Sequence, residues 1–151
     1  MQSKVSLNVS CRNRCSRRVL AYWRTRPADS FDPRLRANID DWLRSLSSTS
    51  PEWRAAIGGD AACAIGMALR FWPLRSVCPL ADMIMTILLA AAFDNAAAAN
   101  VLSVTLRNMP IAHRKRMMLA RSWSTHHSIL ARRAVSGAID VQFQKTPRNV
   151  S

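Results

Sequence analysis

Six cations fall within residues 114–133: Arg114, Lys115, Arg116, Arg121, Arg132 and Arg133, with His113 just before them. The chemistry such a run offers is the holding of phosphate or carboxylate groups. A guanidinium presents paired N–H donors that fit two anionic oxygens at once, whereas an ammonium acts as a point charge. The chain has nineteen arginines against Lys4, Lys115 and Lys145, so nearly all its positive charge is in the forked form. A second set, Arg12, Arg14, Arg17 and Arg18, stands near the N-terminus, followed by Tyr22 and Trp23 as aromatic surfaces on which bases could stack. These ten basic residues are the candidate anion-binding set, with nucleic acid as the first candidate partner and an acidic protein as the second. The plain alternative is a solvated basic face, and arginine and alanine enrichment also follows from a GC-rich coding sequence.

The distribution of charge supports a binding role more than the formal +13 does. Residues 1–28 carry seven Lys/Arg and no acid, and residues 95–139 carry another seven and no acid. Residues 29–94 hold eight of the nine carboxylates against six arginines. Two clustered positive fields around a near-neutral centre can grip a polyanion, where scattered charge would chiefly keep a protein dispersed.

Catalytic and metal chemistry find little support. The chain lacks a glycine-rich phosphate loop, a G-x-S-x-G elbow and an H-E-x-x-H pair. Asp40 and Asp41, the only adjacent carboxylates, point about 100° apart around a helix. Cys63 and Cys78 lie in apolar sequence, which raises a thiol pKa and suits packing more than nucleophilic attack. Cys11-x-x-x-Cys15, with His113, His126 and His127 elsewhere, lacks the second cysteine pair of a zinc site, and the surrounding arginines oppose a cation. No cofactor and no metal are expected, and the chain reads as a non-enzymatic binding protein. His127, on an apolar face, is expected to be a hydrogen-bonded core histidine and His126 to be exposed.

The elements that must position the basic residues are helices. A short helix is expected from about Ser16 to Arg26, ended by Pro27. In the next, Asp32 can cap, Pro33 fits the first helical position, and Leu35, Ile39, Trp42, Leu43 and Leu46 form one apolar stripe. On its other side Arg36, Asp40 and Arg44 are spaced for i,i+4 ion pairs. A short helix from Ser50-Pro51-Glu52 ends at Gly58-Gly59. Ala61–Trp72, Leu80–Phe93 and Ala96–Met109 are apolar around most of their circumference, as helices at the centre of a bundle are, and Asp94-Asn95 is the expected turn and cap of a buried hairpin spanning Leu80 to Met109. Beyond Pro110, Ile111–Arg121 and Thr125–Ser136 read as two helices joined at Ser122–Ser124, and Gly137 closes the second. If this pair is a helix-turn-helix, Ser124, Thr125, His126 and Ser128 would face base edges while the arginines hold phosphates. The join lacks a glycine, however, and the second helix lacks Asn or Gln base readers.

The expected architecture is therefore all-α: a single bundle of about six or seven helices over residues 16–137, with a flexible basic tail over 1–15 and a loose end over 138–151. The expected setting is cytoplasmic, with four reduced cysteines and no secretory signal. An organelle is the alternative, because residues 1–28 also have the composition of a transit peptide. A helical protein adaptor is a second functional reading. A third is association with anionic membrane through the apolar hairpin, although Met83–Phe93 would span only about 16 Å.

Overall fold

The computed structural model describes residues 7–8 and 14–144, with side chains from 17 to 139 and at 141. Arg12 and Cys11 lie outside the described residues, and Arg14 and Cys15 are placed only as backbone. The expected loose tail over 1–15 lies largely outside the described residues, as does the part of the expected loose end, 138–151, that follows residue 144; residues 138–144 are helical, against that expectation. The chain runs β1 (Leu7–Asn8), α1 (Arg14–Leu20), α2 (Tyr22–Thr25), a 3-10 turn (Ala28–Ser30), α3 (Pro33–Arg44), β2 (Ser47–Ser48), α4 (Pro51–Ile57), α5 (Ala61–Arg70), α6 (Pro79–Ala92), α7 (Ala96–Arg107) and α8 (His113–Gln144). It is an all-α bundle, and the two-residue strands form one short antiparallel bridge. Among the described residues there are eight helices against the expected six or seven; the first expected helix is two, broken at Ala21, while the last two expected helices are one.

The core forms around α6. No side chain between Ala81 and Phe93 is exposed, and Ile84, Met85, Ile87, Leu88, Leu89 and Ala92 are all at or below 2% exposure. A helix apolar all round must be enclosed by others. α7 packs on it with Ala98, Ala99, Leu102 and Leu106 buried, and α5, α1, α2 and α3 also pack on it. Asn95 turns the hairpin as expected, its side chain accepting from the Ala98 N–H at 3.0 Å. The lipid alternative rests on this hairpin, most of whose apolar surface is covered by protein, with Leu80 and Val104 left exposed. Among the described residues no helix is long and apolar enough to cross a membrane.

α3 follows its sequence signature. Asp32 Oδ1 accepts from the Leu35 N–H at 2.8 Å, Pro33 opens the helix, and Ile39, Trp42, Leu43 and Leu46 are buried. Its expected i,i+4 pairs are absent among the described residues. Arg44 instead pairs with Asp41, and the Arg36 guanidinium lies 4.4 Å from the centre of the Phe93 ring. An exposed ion pair contributes only about 0–1 kcal/mol, so a contact with an aromatic face of similar strength can displace it.

α5 departs from expectation. Only Ala64, Met67 and Ala68 are buried, and the expected enclosed helix is a one-sided one whose end, Leu69, and following residues Phe71 and Trp72 are exposed. Pro73 and Pro79 bracket the connection to α6, so no helix continues far enough to cover them.

The last helix departs further. α8 runs unbroken for 32 residues, so the two helices expected over 111–136 and the turn at Ser122–Ser124 are one element, and the helix passes through Gly137 to Gln144. One long-range contact, one bond within the helix and the burial of Trp123 account for the difference. Ser122 Oγ accepts from the Ala28 N–H at 2.7 Å, Ser128 Oγ donates to the Ser124 carbonyl at 3.1 Å, and Trp123, between the serines, is fully buried. Serines leave helices when their hydroxyls compete for the local backbone, and here the hydroxyls have partners compatible with the helix.

The N-terminal segment is fixed by a polar contact. The fully buried Trp23 donates its indole N–H to Asp82 Oδ1 at 2.8 Å, and Arg24 Nε and Nη2 donate to the two Asp82 oxygens at 3.0 and 3.2 Å. Hydrogen bonds to a charged group each contribute about 1.5–3 kcal/mol, enough for this one carboxylate to hold α2 against the start of α6.

Candidate functional site

Continuity of α8 decides how its cations are arranged. Arg114, Arg121 and Arg132 are separated by 7 and 11 residues, close to two and three whole turns, so on one helix they fall within about 20° of a single line. All three are exposed, as are Met118, Thr125, Ile129 and Ser136 along the same side. The row extends about 27 Å at 1.5 Å per residue. Lys115 and Arg133, also exposed and 18 residues apart, form a flanking line about 100° around the axis. The sequence reading treats these residues as a broad patch over two helices, whereas they form a linear array on one rigid element. No carboxylate occurs between Asn95 and Ile139, so the array carries no internal counter-charge.

Arg116 belongs to the fold more than to this array. It is half-buried, its Nη1 donates to the Met109 carbonyl at 3.2 Å, and its Nη2 lies 3.2 Å from His113 Nδ1. Met109 is fully buried at the end of the turn after α7, so Arg116 ties the start of α8 to that turn. The sequence has no local sign of this, because the acceptor is a backbone carbonyl made available by tertiary structure.

The other side of α8 is anchored through its histidines and Trp123. His127 Nδ1 donates to the Ala96 carbonyl at 2.8 Å and His126 Nε2 to the Phe93 carbonyl at 3.0 Å, since a carbonyl can only accept. His126, expected to be exposed, is half-buried with its ring edge-on to Trp123. Trp123 meets Phe93 and Phe31, with ring centres 5.8 and 6.1 Å apart. The inward face of α8 is thus fixed, and its outward face is left to the arginines.

The N-terminal arginines are placed differently. Arg17 and Arg18 are exposed on α1, which packs on α3 and α6 and not in line with the α8 array. Trp23 is unavailable for stacking because it is enclosed beside Asp82, and Tyr22 is covered, its ring lying edge-on to Phe31 and beneath the Arg26 guanidinium at 5.2 Å.

Two features escape sequence reasoning. One is the exposed apolar set Leu69, Phe71, Trp72, Val77 and Leu80 around the α5–α6 connection, signalled only by its bracketing prolines. The other is a groove of about 680 Å³ between α1–α2 and α3, lined by Arg18, Arg26 and Arg34. These arginines come from three separate elements, so no local pattern announces their meeting.

Among the described residues no three His, Cys, Asp or Glu side chains gather to hold a metal ion. Partial burial and the nearby Asp60 carboxylate hold the Cys63 thiol above its ordinary value, so it remains protonated at neutral pH and is a poor nucleophile. Compared with known proteins, the chain matches no family model, no curated protein and no solved structure.

The two roles on α8 are separable. Arg116→Ala is expected to lower the thermal midpoint by about 3–6 °C, through loss of its contact to the Met109 carbonyl. Arg114→Ala and Arg121→Ala should leave the midpoint within about 1–2 °C of the parent. Thermal unfolding followed by circular dichroism checks both, and equal effects of all three would contradict the assignment.

Proposed function

We infer that the chain is a non-enzymatic binding protein for a polyanion, nucleic acid first, and that the outer face of α8 is its contact surface. The observation that carries this reading is the row Arg114, Arg121 and Arg132, exposed along about 27 Å of one helix and flanked by Lys115 and Arg133. An α-helix fits the major groove of duplex DNA, and arginines along its outer face can reach phosphates. Residues 114–132 contain no Asn or Gln to read adenine, so this reading assigns the arginines chiefly to backbone phosphate, with guanine the base they could also pair. Arg17 and Arg18 add a second exposed basic region on α1, and Arg12 and Arg14 precede them in the sequence. The reading carries with it the cytoplasmic setting, with an organelle as the alternative.

The test is a salt titration of binding to a mixed-sequence duplex and a single strand. Each duplex phosphate neutralised contributes about 0.9 to the slope of log affinity against log salt. R114Q/R121Q/R132Q is therefore expected to lower the duplex slope by about 3 and to weaken binding at low salt. An unchanged slope and affinity in a folded triple variant would overturn the reading.

A second reading, a helical adaptor that meets another protein, is favoured by the exposed Leu69, Phe71, Trp72, Val77 and Leu80 with the exposed Arg75 among them. Such a surface suits an apolar patch rimmed by acid on the partner. It predicts partner recovery that survives nuclease treatment and is lost in F71S/W72S. Recovery that disappears with the nucleic acid would count against it.

A further inference from the structure

The arginine-lined groove is a feature separate from the α8 array. Its three cations converge from α1 (Arg18), the residue ending α2 (Arg26) and the first turn of α3 (Arg34). Among the described residues none of the three is in an ion pair, whereas Arg24, Arg44 and Arg70 pair with Asp82, Asp41 and Glu52. The one carboxylate lining the groove, Asp32, already accepts the Leu35 N–H at 2.8 Å as the cap of α3. Three positive charges thus face one carboxylate, which keeps its charge while it caps α3, and the positive surplus that remains favours an anion.

The walls are preorganised. The Arg26 guanidinium sits 5.2 Å from the centre of the Tyr22 ring, and Tyr22 is itself buried edge-on to Phe31. This holds Arg26 at the groove wall instead of free in solvent, so less side-chain freedom is lost when a ligand arrives. The exposed Asn38 lines the same groove and adds an uncharged donor. The volume of about 680 Å³ lies within the range of small-molecule sites.

We propose that this groove binds a phosphate monoester dianion, carried by a free nucleotide or by the 5′ end of a nucleic-acid strand, with Arg18, Arg26 and Arg34 as its ligands. A monoester offers three terminal oxygens and close to two negative charges at neutral pH, which matches several forked donors better than a carboxylate does. The site does not depend on the α8 surface, and the variants below separate the two.

The experiment is calorimetric titration of the full-length chain with adenosine 5′-monophosphate, adenosine, inorganic phosphate, and a short oligonucleotide with a 5′-phosphate or a 5′-hydroxyl. Adenosine 5′-monophosphate should bind saturably and adenosine should not. R18Q/R34Q, which alters exposed positions and leaves the Arg26–Tyr22 contact intact, should weaken that binding by about tenfold or more. R114Q/R121Q/R132Q should leave it unchanged. Preference of the oligonucleotide arm for a 5′-phosphate would identify a strand end as the source, and no such preference, with the nucleotide still bound, would identify the free nucleotide. The proposal is overturned if adenosine binds as well as its monophosphate, if no phosphate monoester binds saturably, or if binding survives R18Q/R34Q, whether or not it falls in the α8 variant.

Discussion

Everything else in the molecule follows from the need to enclose α6. Its side chains between Ala81 and Phe93 leave none exposed, and burying each Ile, Leu or Met contributes about 1.5–3 kcal/mol. One such helix cannot be covered by a single neighbour, so the chain lays α7, α5, α3 and the α1–α2 segment around it. The few buried hydroxyls in this region are satisfied: Thr86 donates to the Asp82 carbonyl at 2.7 Å and Ser103 to the Ala120 carbonyl at 2.7 Å. The latter bond, with Trp123 against Phe93 and Phe31, also seats α8 on the outside of α7.

That arrangement sorts the charge. Eight of the nine carboxylates belong to residues 29–94, on α6 itself at Asp82 and otherwise in the elements and connections from Asp29 to Asp94. Those that form ion pairs in the structure, Asp41, Glu52 and Asp82, are matched by Arg44, Arg70 and Arg24. α8 packs through one face and has no acid of its own before Asp140, so its outer arginines cannot be neutralised from within the helix. The same imbalance leaves Arg18, Arg26 and Arg34 unmatched in their groove. A protein whose uncompensated cations lie on a rigid line and in a concave site has two distinct ways of meeting phosphate, one suited to an extended polymer and one to a compact group.

Local chemistry made some of this legible and distance hid the rest. Asp32-Pro33 announces the start of α3, and Asn95 announces the hairpin turn, because cap and capped N–H are three residues apart. The burial of Met83–Phe93 is legible because nothing charged interrupts it after Asp82, although Leu80 at the start of the helix is exposed. The unity of α8 is not, because what stabilises Ser122 within the helix is the backbone N–H of Ala28, 94 residues away in sequence. Arg116 looks like its neighbours until the Met109 carbonyl is placed beside it. Trp23 looks like a stacking surface until Asp82 accepts its indole N–H. The arginine groove and the exposed end of α5 depend on how separate elements come together, and residue spacing within one element carries no trace of that.

The central claim is that α8 is one uninterrupted helix, because only then do Arg114, Arg121 and Arg132 form a line. The most direct test is a pulsed electron spin resonance distance between nitroxides at Met118 and Ser136, two exposed positions on that line, in a chain whose four native cysteines are replaced. Eighteen residues of continuous helix predict one narrow distribution near 27 Å, broadened only by the label tethers. A clearly shorter or two-peaked distribution would mean that the chain turns at Ser122–Ser124, and the linear array would not exist.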